Sequence, residues 1–291
     1  MDDQSRTQWL EGRRTGIGGS DVAAILGLND YQSAYSIWAD KLGLLPEKED
    51  NEAMRQGRDL EDYVAQRFCE QTGKNVRRNN RMLRSEKYPF MIANIDRQIV
   101  GERSGLECKT TSMMNLKKFK NGEYPATYYC QCMHYLAVTG WEKWYLAVLV
   151  LNQGFYLYEI ERDEDEISAL IKAETEFWNL VESNTPPEID GSKATREALE
   201  FINQPDDDKP EAYLYGKENM VEHLFSLKSD KKEIEKNIAQ IENQIRADLG
   251  GANKGVMHGY TISLQTIIKK SYIVKESSYQ RLTIKEKKQN G

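Results

Sequence analysis

Between Asn94 and Thr111 the chain reads N-I-D-R-Q-I-V-G-E-R-S-G-L-E-C-K-T-T, and this run limits the fold more than any other. The apolar stretch Met91–Val100 and the strand-like Leu106-Glu107-Cys108-Lys109 flank a turn-rich link, Gly101–Gly105, which is the pattern of a β-hairpin. Side chains two apart on a strand share a face. Glu107 and Lys109 therefore project together, and the hairpin brings Asp96 beside them. Two carboxylates and an amine at a strand end are suited to holding a hard divalent cation and activating a water next to it. The plainer reading of the same three residues is a cross-strand ion pair.

Glu61 strengthens the first reading. Asn51–Gly73 is predicted as one long helix in which Gly57, Glu61, Val64 and Phe68 recur at spacings of 4, 3 and 4 and form a single stripe. A carboxylate on the core-facing stripe needs a partner or a metal, unless it sits at a solvated edge. A second feature is Gly18-Gly19-Ser20 ahead of a predicted helix Asp21–Leu28, with Ser20 as its N-cap. Free amides at a helix start attract anions, and glycines let a phosphate approach the backbone. Asp21 in the first turn favours the helix dipole but opposes a bound anion.

The order helix-Glu61, strand-Asp96, strand Glu107-x-Lys109, then a helix with Gln131 resembles the PD-(D/E)xK nuclease superfamily. Within it the chain is similar to the phage-type alkaline exonucleases, the lambda exonuclease and YqaJ-like viral recombinase family. Four stretches carry the likeness: Arg13–Asp21, Gly57-Arg58-Asp59-Leu60-Glu61, the Asp96…Glu107-Cys108-Lys109 core, and Tyr129-Cys130-Gln131-Cys132 with Tyr135. They span about residues 9 to 150, with a looser likeness to about 185.

The resemblance implies an α/β fold, a mixed central sheet flanked by helices. It also implies a metal-dependent exonuclease that digests one strand of linear duplex DNA from the 5′ end. Mg²⁺, with Mn²⁺ as a substitute, would be held by Asp96, Glu107 and the backbone carbonyl of Cys108. Lys109 would orient or deprotonate a water, its pKa depressed beside the cation. Glu61 would act through water or hold a second ion, and Gln131 would position Lys109 or the nucleophile. Ser20, with Arg13 or Arg14, matches the residues that grip a terminal 5′-phosphate. The implied partners are DNA ends, a single-strand annealing protein and further copies of the chain, most simply in a ring of three. A site-specific or structure-specific endonuclease, or a non-catalytic DNA-binding module, would share the same core.

The net charge of −6 argues against a general nucleic-acid-coating protein. Basic residues are instead local: Arg77, Arg78, Arg81 and Arg84 on one side of the core run, and Lys117, Lys118 and Lys120 on the other, either for DNA or as a solvated face. Cys69, Cys108, Cys130 and Cys132 lack a C-x-x-C spacing and are read as reduced thiols; His134, His223 and His258 have no zinc spacing. No run is long and apolar enough for a membrane span and no signal-peptide core opens the chain, so a soluble cytoplasmic protein is expected, in a host cytoplasm if phage-encoded.

The pattern predicts helices over Gln4–Thr15, Ser33–Gly43, Ala126–Val138 and Glu164–Ser183, and strands over Asn75–Leu83, Trp144–Leu151 and Phe155–Ile160. The nuclease core is placed at 1–185, a linker with a possible short helix (Thr195–Phe201) at 186–210, and a C-terminal appendage at 211–291. In the appendage, Lys217–Leu249 reads as one long helix. Its Ile234, Ile238, Ile241 and Ile245 follow a coiled-coil rhythm or pack on their own chain. Short strands are expected at Tyr260–Ile268, Tyr272–Val274 and Gln280–Lys285.

Overall fold

The computed structural model describes residues 11–47, 50–268, 280 and 284. Its helices are α1 (Gly19–Ile25), α2 (Ala34–Lys41), α3 (Glu52–Thr72), α4 (Ala126–Thr139), α5 (Glu164–Glu182), α6 (Lys193–Ile202) and α7 (Glu218–Leu249). The strands are β1 (Val76–Arg78), β2 (Leu83–Arg84), β3 (Ile92–Ala93), β4 (Arg97–Ile99), β5 (Ser104–Thr111), β6 (Lys143–Val150), β7 (Gly154–Glu161), β8 (Lys254–Met257) and β9 (Tyr260–Ser263). Residues 1–204 and 205–291 form two separate units. The first holds a five-stranded sheet in the order β1-β4-β5-β6-β7. Only β5 and β6 run parallel, joined through a 3₁₀ turn (Met113–Phe119) and α4; the other pairs are antiparallel.

Strand β6 shows why this sheet is sandwiched. K-W-Y-L-A-V-L-V is apolar at almost every position, as a strand covered on both faces must be. Trp144, Leu146, Val148 and Val150 pack toward α4, α5 and the N-terminal helices; Tyr145 and Ala147 pack with Val64, Ala65 and Phe68 of α3. The same alternation on β5 sends Leu106 and Cys108 to the α3 side and leaves Glu107 and Lys109 facing α4. Gly105 is required beside this layer, because a Cβ there would meet the Trp144 ring at 2.3 Å.

Most predicted helix ends lie within two residues of those observed, for physical reasons visible locally. Asn51 caps α3 by accepting from the Met54 amide at 3.0 Å, and Gly73 ends it with φ of 71°. Two expectations are corrected. Asn75–Leu83 is not one strand: Asn79 accepts from the Arg81 amide at 3.2 Å and turns the chain, so β1 and β2 lie in different sheets. Met91–Val100 is likewise split, since β3 pairs with β2 while β4 joins the main sheet. The break falls at Asn94–Asp96. Helix α6 docks on α2, where Thr195 donates to Ser33 at 2.7 Å in a buried contact.

In the second unit, α7 runs for 32 residues and β8–β9 form a hairpin. Of the predicted helix Gln4–Thr15, residues 11–14 are helical and 4–10 lie outside the described residues. So do the expected strands at Tyr272–Val274 and, apart from Gln280 and Ile284, Gln280–Lys285. Among the described residues no helix is long and apolar enough to cross a membrane.

Candidate active site

The β4–β5 ladder ends at Arg97 paired with Leu106. One step further along this antiparallel register, Asp96 stands opposite Glu107. There the chain has left the strand, and Asp96 uses its carboxylate in place of a ladder carbonyl: Oδ2 accepts from the Cys108 amide at 2.8 Å. Glu107 is 2% exposed; its Oε1 accepts from Lys109 Nζ at 2.6 Å and from Gln131 Nε2 at 2.7 Å. Gln131, on α4, also accepts from Lys109 Nζ at 3.0 Å and donates to the Tyr135 hydroxyl, one turn on, at 2.8 Å. Its amide is fixed in one orientation by three partners. The Lys109 ammonium lies over the Tyr128 ring at 5.3 Å.

Glu61 reaches this group through a residue that sequence reasoning missed. Arg97 is 4% exposed, binds Glu61 and donates to Asp62 at 2.6 Å, while the same Nη1 that binds Glu61 donates to the Asp96 carbonyl at 2.6 Å. A buried arginine needs just such neutralisation. The signal was present: an arginine next to an inward-facing aspartate, on the face of a short strand that is turned toward the helix bearing Glu61-Asp62.

Burial, then the Glu107 charge, lifts the Asp96 pKa well above the ordinary aspartate value, against the pull of Lys109. Burial alone would depress Lys109, but the Glu107 and Asp96 carboxylates outweigh it and hold its pKa above the ordinary lysine value.

A divalent ion suits these donors. Glu107 Oε2 is buried without a hydrogen-bond partner, and Asp96 is penalised as an anion beside it. Both defects are relieved by positive charge between the two carboxylates. Among the described residues no three His, Cys, Asp or Glu side chains converge as a closed cage. Two carboxylates alone would leave most coordination positions of a hard divalent ion to water and substrate.

The Gly18–Asp21 motif differs from expectation in its details. Helix α1 is capped at Gly18, not Ser20, because Asp21 at N3 accepts from the Gly18 amide at 2.9 Å and closes the first turn. Ser20 lies within that turn. Arg13 donates to Ser20 Oγ at 2.8 Å, whereas Arg14 pairs with Asp40 at 3.8 Å. Asp21 is 4% exposed; burial raises its pKa, but Lys41, at 2.6 Å, and Arg13 bring it below the ordinary value. The anion-opposing charge of Asp21 is therefore offset by two cations. Gly19 is required for packing: a Cβ would lie 2.7 Å from the Tyr135 ring and 3.0 Å from Gln131 Cγ. Gly19→Ala is expected to displace these two side chains and lower activity at least about tenfold, at a stability cost of about 1–3 kcal/mol. Full activity in a purified, folded variant would show that the contact is slack.

Arg77, Arg78, Arg81 and Arg84, and Lys117, Lys118 and Lys120, are all exposed. The four thiols fall into two groups on opposite faces of the sheet, Cys69 with Cys108 and Cys130 with Cys132. Burial raises the pKa of Cys108, Cys130 and Cys132. His134 is a core residue tied to Glu174 at 2.8 Å and to the Ile92 carbonyl at 2.9 Å.

The YqaJ-like viral recombinase domain matches residues 8–142. YqaJ of Bacillus subtilis (strain 168) is 39% identical over 271 residues, which cover 91% of this chain and 85% of that protein. The chain belongs to the YqaJ-like viral recombinase family. An alkaline exonuclease from Laribacter hongkongensis, solved alone and in complex with dAMP, superposes with a TM-score of 0.54 at 19% identity. It covers 62% of this chain and 94% of its own. The likeness is one of fold, and the mixed sheet with its flanking helices is the PD-(D/E)xK core.

Proposed function

We propose that this family member is a divalent-metal-dependent nuclease that hydrolyses one strand of linear double-stranded DNA from its 5′ end. The carrying observation is the constellation of Asp96, Glu107, Lys109 and Gln131 at one strand end, with an orphaned carboxylate oxygen at its centre. Asp96, Glu107 and the Cys108 carbonyl would hold Mg²⁺, with Mn²⁺ as a substitute. When bound, the ion supplies charge that acidifies water and offsets the charge building on phosphate. Lys109 is a positioning donor: two of its N–H groups are committed to Glu107 and Gln131, and the third is available to the attacking water or the phosphate. Gln131 fixes Lys109 and Glu107 relative to each other. Glu61 acts at one remove, through Arg97 on the Asp96 backbone.

Arg13 and Ser20 would hold the terminal 5′-phosphate, with Lys41 and Arg13 together keeping the surroundings of Asp21 cationic. The single-stranded product would pass to an annealing protein, and the catalytic units would work as a homo-oligomer, a ring of three in the simplest form. The test compares linear with closed circular duplex, and 5′-phosphate with 5′-hydroxyl ends, with and without Mg²⁺. Digestion of the linear form alone, dependent on the ion, is expected. Cutting of the closed circle would make the protein an endonuclease. Losing a charge-assisted contact of about 1.5–3 kcal/mol should slow digestion of 5′-hydroxyl ends about 10–150-fold. Arg13→Ala should erase that difference between ends, and equal rates on both ends in the unaltered protein would remove the pocket while leaving the nuclease assignment intact.

A further inference from the structure

Helix α7 buries none of its residues, although it carries a long apolar stripe. Met220, Leu227, Ile234 and Ile241 recur every seven residues, and Leu224, Lys231, Ile238 and Ile245 form a second series four residues after each of them. This is the alternation of a coiled-coil seam over almost four heptads. Met220, Leu227, Ile234, Ile238 and Ile241 are 51–62% exposed. A helix of this length gains most of its stability from covering such a face.

We propose that α7 pairs with α7 of a second copy of this chain, antiparallel, as a two-stranded coiled coil. Charge decides the direction. In a parallel pair the position before one seam residue faces the position after the next, which sets Asp230 against Glu235 and His223 against Lys228 of the second copy, with no opposite charges meeting. In the antiparallel pair the seam closes as Leu224 with Ile241, Ile238 with Leu227, Ile245 with Met220 and Lys231 with Ile234. Lys228 then lies beside Glu235 of the second copy, twice by symmetry, and Asp230 lies beside Asn237. A slip of one heptad either way sets Lys228 against Lys228 or Glu235 against Glu235.

Two further observations fit this register. Lys231, the one charged seam residue, already leans out of the seam toward Glu235 of its own helix at 3.6 Å. The overlap also brings the peptide before α7, with Tyr213 and Tyr215 stacked and 73% and 81% exposed, to the same end as the β8–β9 hairpin of the second copy. That hairpin exposes Val256 at 85% and Tyr260 at 72%. A parallel pair would leave these two apolar ends at opposite extremes of a helix roughly 48 Å long.

The test is sedimentation of the full-length protein over a concentration series. Whatever the catalytic unit contributes to assembly, Ile238→Asp should halve the mass of the largest stable species. Glu235→Lys, at an exposed position that does not threaten the fold, should weaken this association about tenfold, and Lys228→Glu combined with Glu235→Lys should restore it. A mass unchanged by Ile238→Asp would overturn the proposal, showing that the stripe is covered by its own chain or not at all. Glu235→Lys tightening the association would overturn the antiparallel register. Neither readout depends on nuclease activity.

Discussion

Asp96→Asn should lower phosphodiester hydrolysis by about 10³-fold and at the same time raise the stability of the metal-free protein. The two effects share one cause. Burial and the neighbouring Glu107 charge disfavour the Asp96 anion and put its pKa well above the ordinary value. With a folded-state pKa above the unfolded one, the folded protein binds the extra proton. Stability contributed by Asp96 is therefore present at low pH and lost as pH rises from about 4 through the raised pKa. The asparagine variant lacks this penalty, so its melting temperature should exceed that of the unaltered protein in chelator at neutral pH, and the gap should close on acidification. Mg²⁺ should then stabilise the unaltered protein more than the variant. Near-normal cleavage by Asp96→Asn, or by Lys109→Met, would defeat the catalytic assignment. A variant less stable at neutral pH would instead show that Asp96 is an ordinary structural residue on the Cys108 amide.

The second large effect is in the core. His134 and Glu174 are both 0% exposed and join α4 to α5, while the imidazole Nε2 donates to the Ile92 carbonyl of β3. Burial disfavours the charged ring, but the Glu174 carboxylate outweighs it and lifts the His134 pKa above the ordinary value. His134→Leu strands a buried carboxylate and a carbonyl together, and should cost about 3–5 kcal/mol in urea unfolding. Glu174→Gln keeps a hydrogen-bonding partner of the same shape and should cost less. The sign of the pH effect follows from the raised pKa. The contribution is complete below about pH 6.5 and is lost as pH rises through the folded value. The unaltered protein should thus lose stability relative to Glu174→Gln between mildly acidic and alkaline pH. Parallel curves for the two proteins would mean that the ring stays neutral throughout.

These two sites differ in how far the sequence revealed them. Glu107, Lys109 and Asp96 were legible because strand alternation and hairpin register are rules of the backbone, and they hold regardless of what packs above. Gln131 was found only by likeness to a family, since nothing in A-T-Y-Y-C-Q-C-M-H-Y distinguishes a helix face turned to a sheet from one turned to another helix. His134, three residues on, was passed over for the same reason: its partner lies 40 residues away on α5, and no local pattern joins them. Arg97 was hidden by its neighbour. The cap at Gly18 was misplaced by two residues because a serine is the commoner cap, and the competing reach of Asp21 back to the Gly18 amide depends on Lys41 and Arg13 to hold its charge.

The parallel pairing of β5 with β6 has a consequence for the growing chain. By residue 131 a ribosome has delivered Glu61, Asp96, Glu107, Lys109 and Gln131, yet β5 has no neighbour on its far side until Lys143–Val150 emerges. A parallel partner cannot be supplied by a tight turn; it arrives only after the whole crossover through α4 has been made. If the chain hydrolyses DNA as proposed, the strand that seats beside β5 last would act as a safety catch. Under the proposed function, the unfinished chain would carry the five proposed site residues without the platform that aligns them, and hydrolysis would begin only once the sheet is closed around β5.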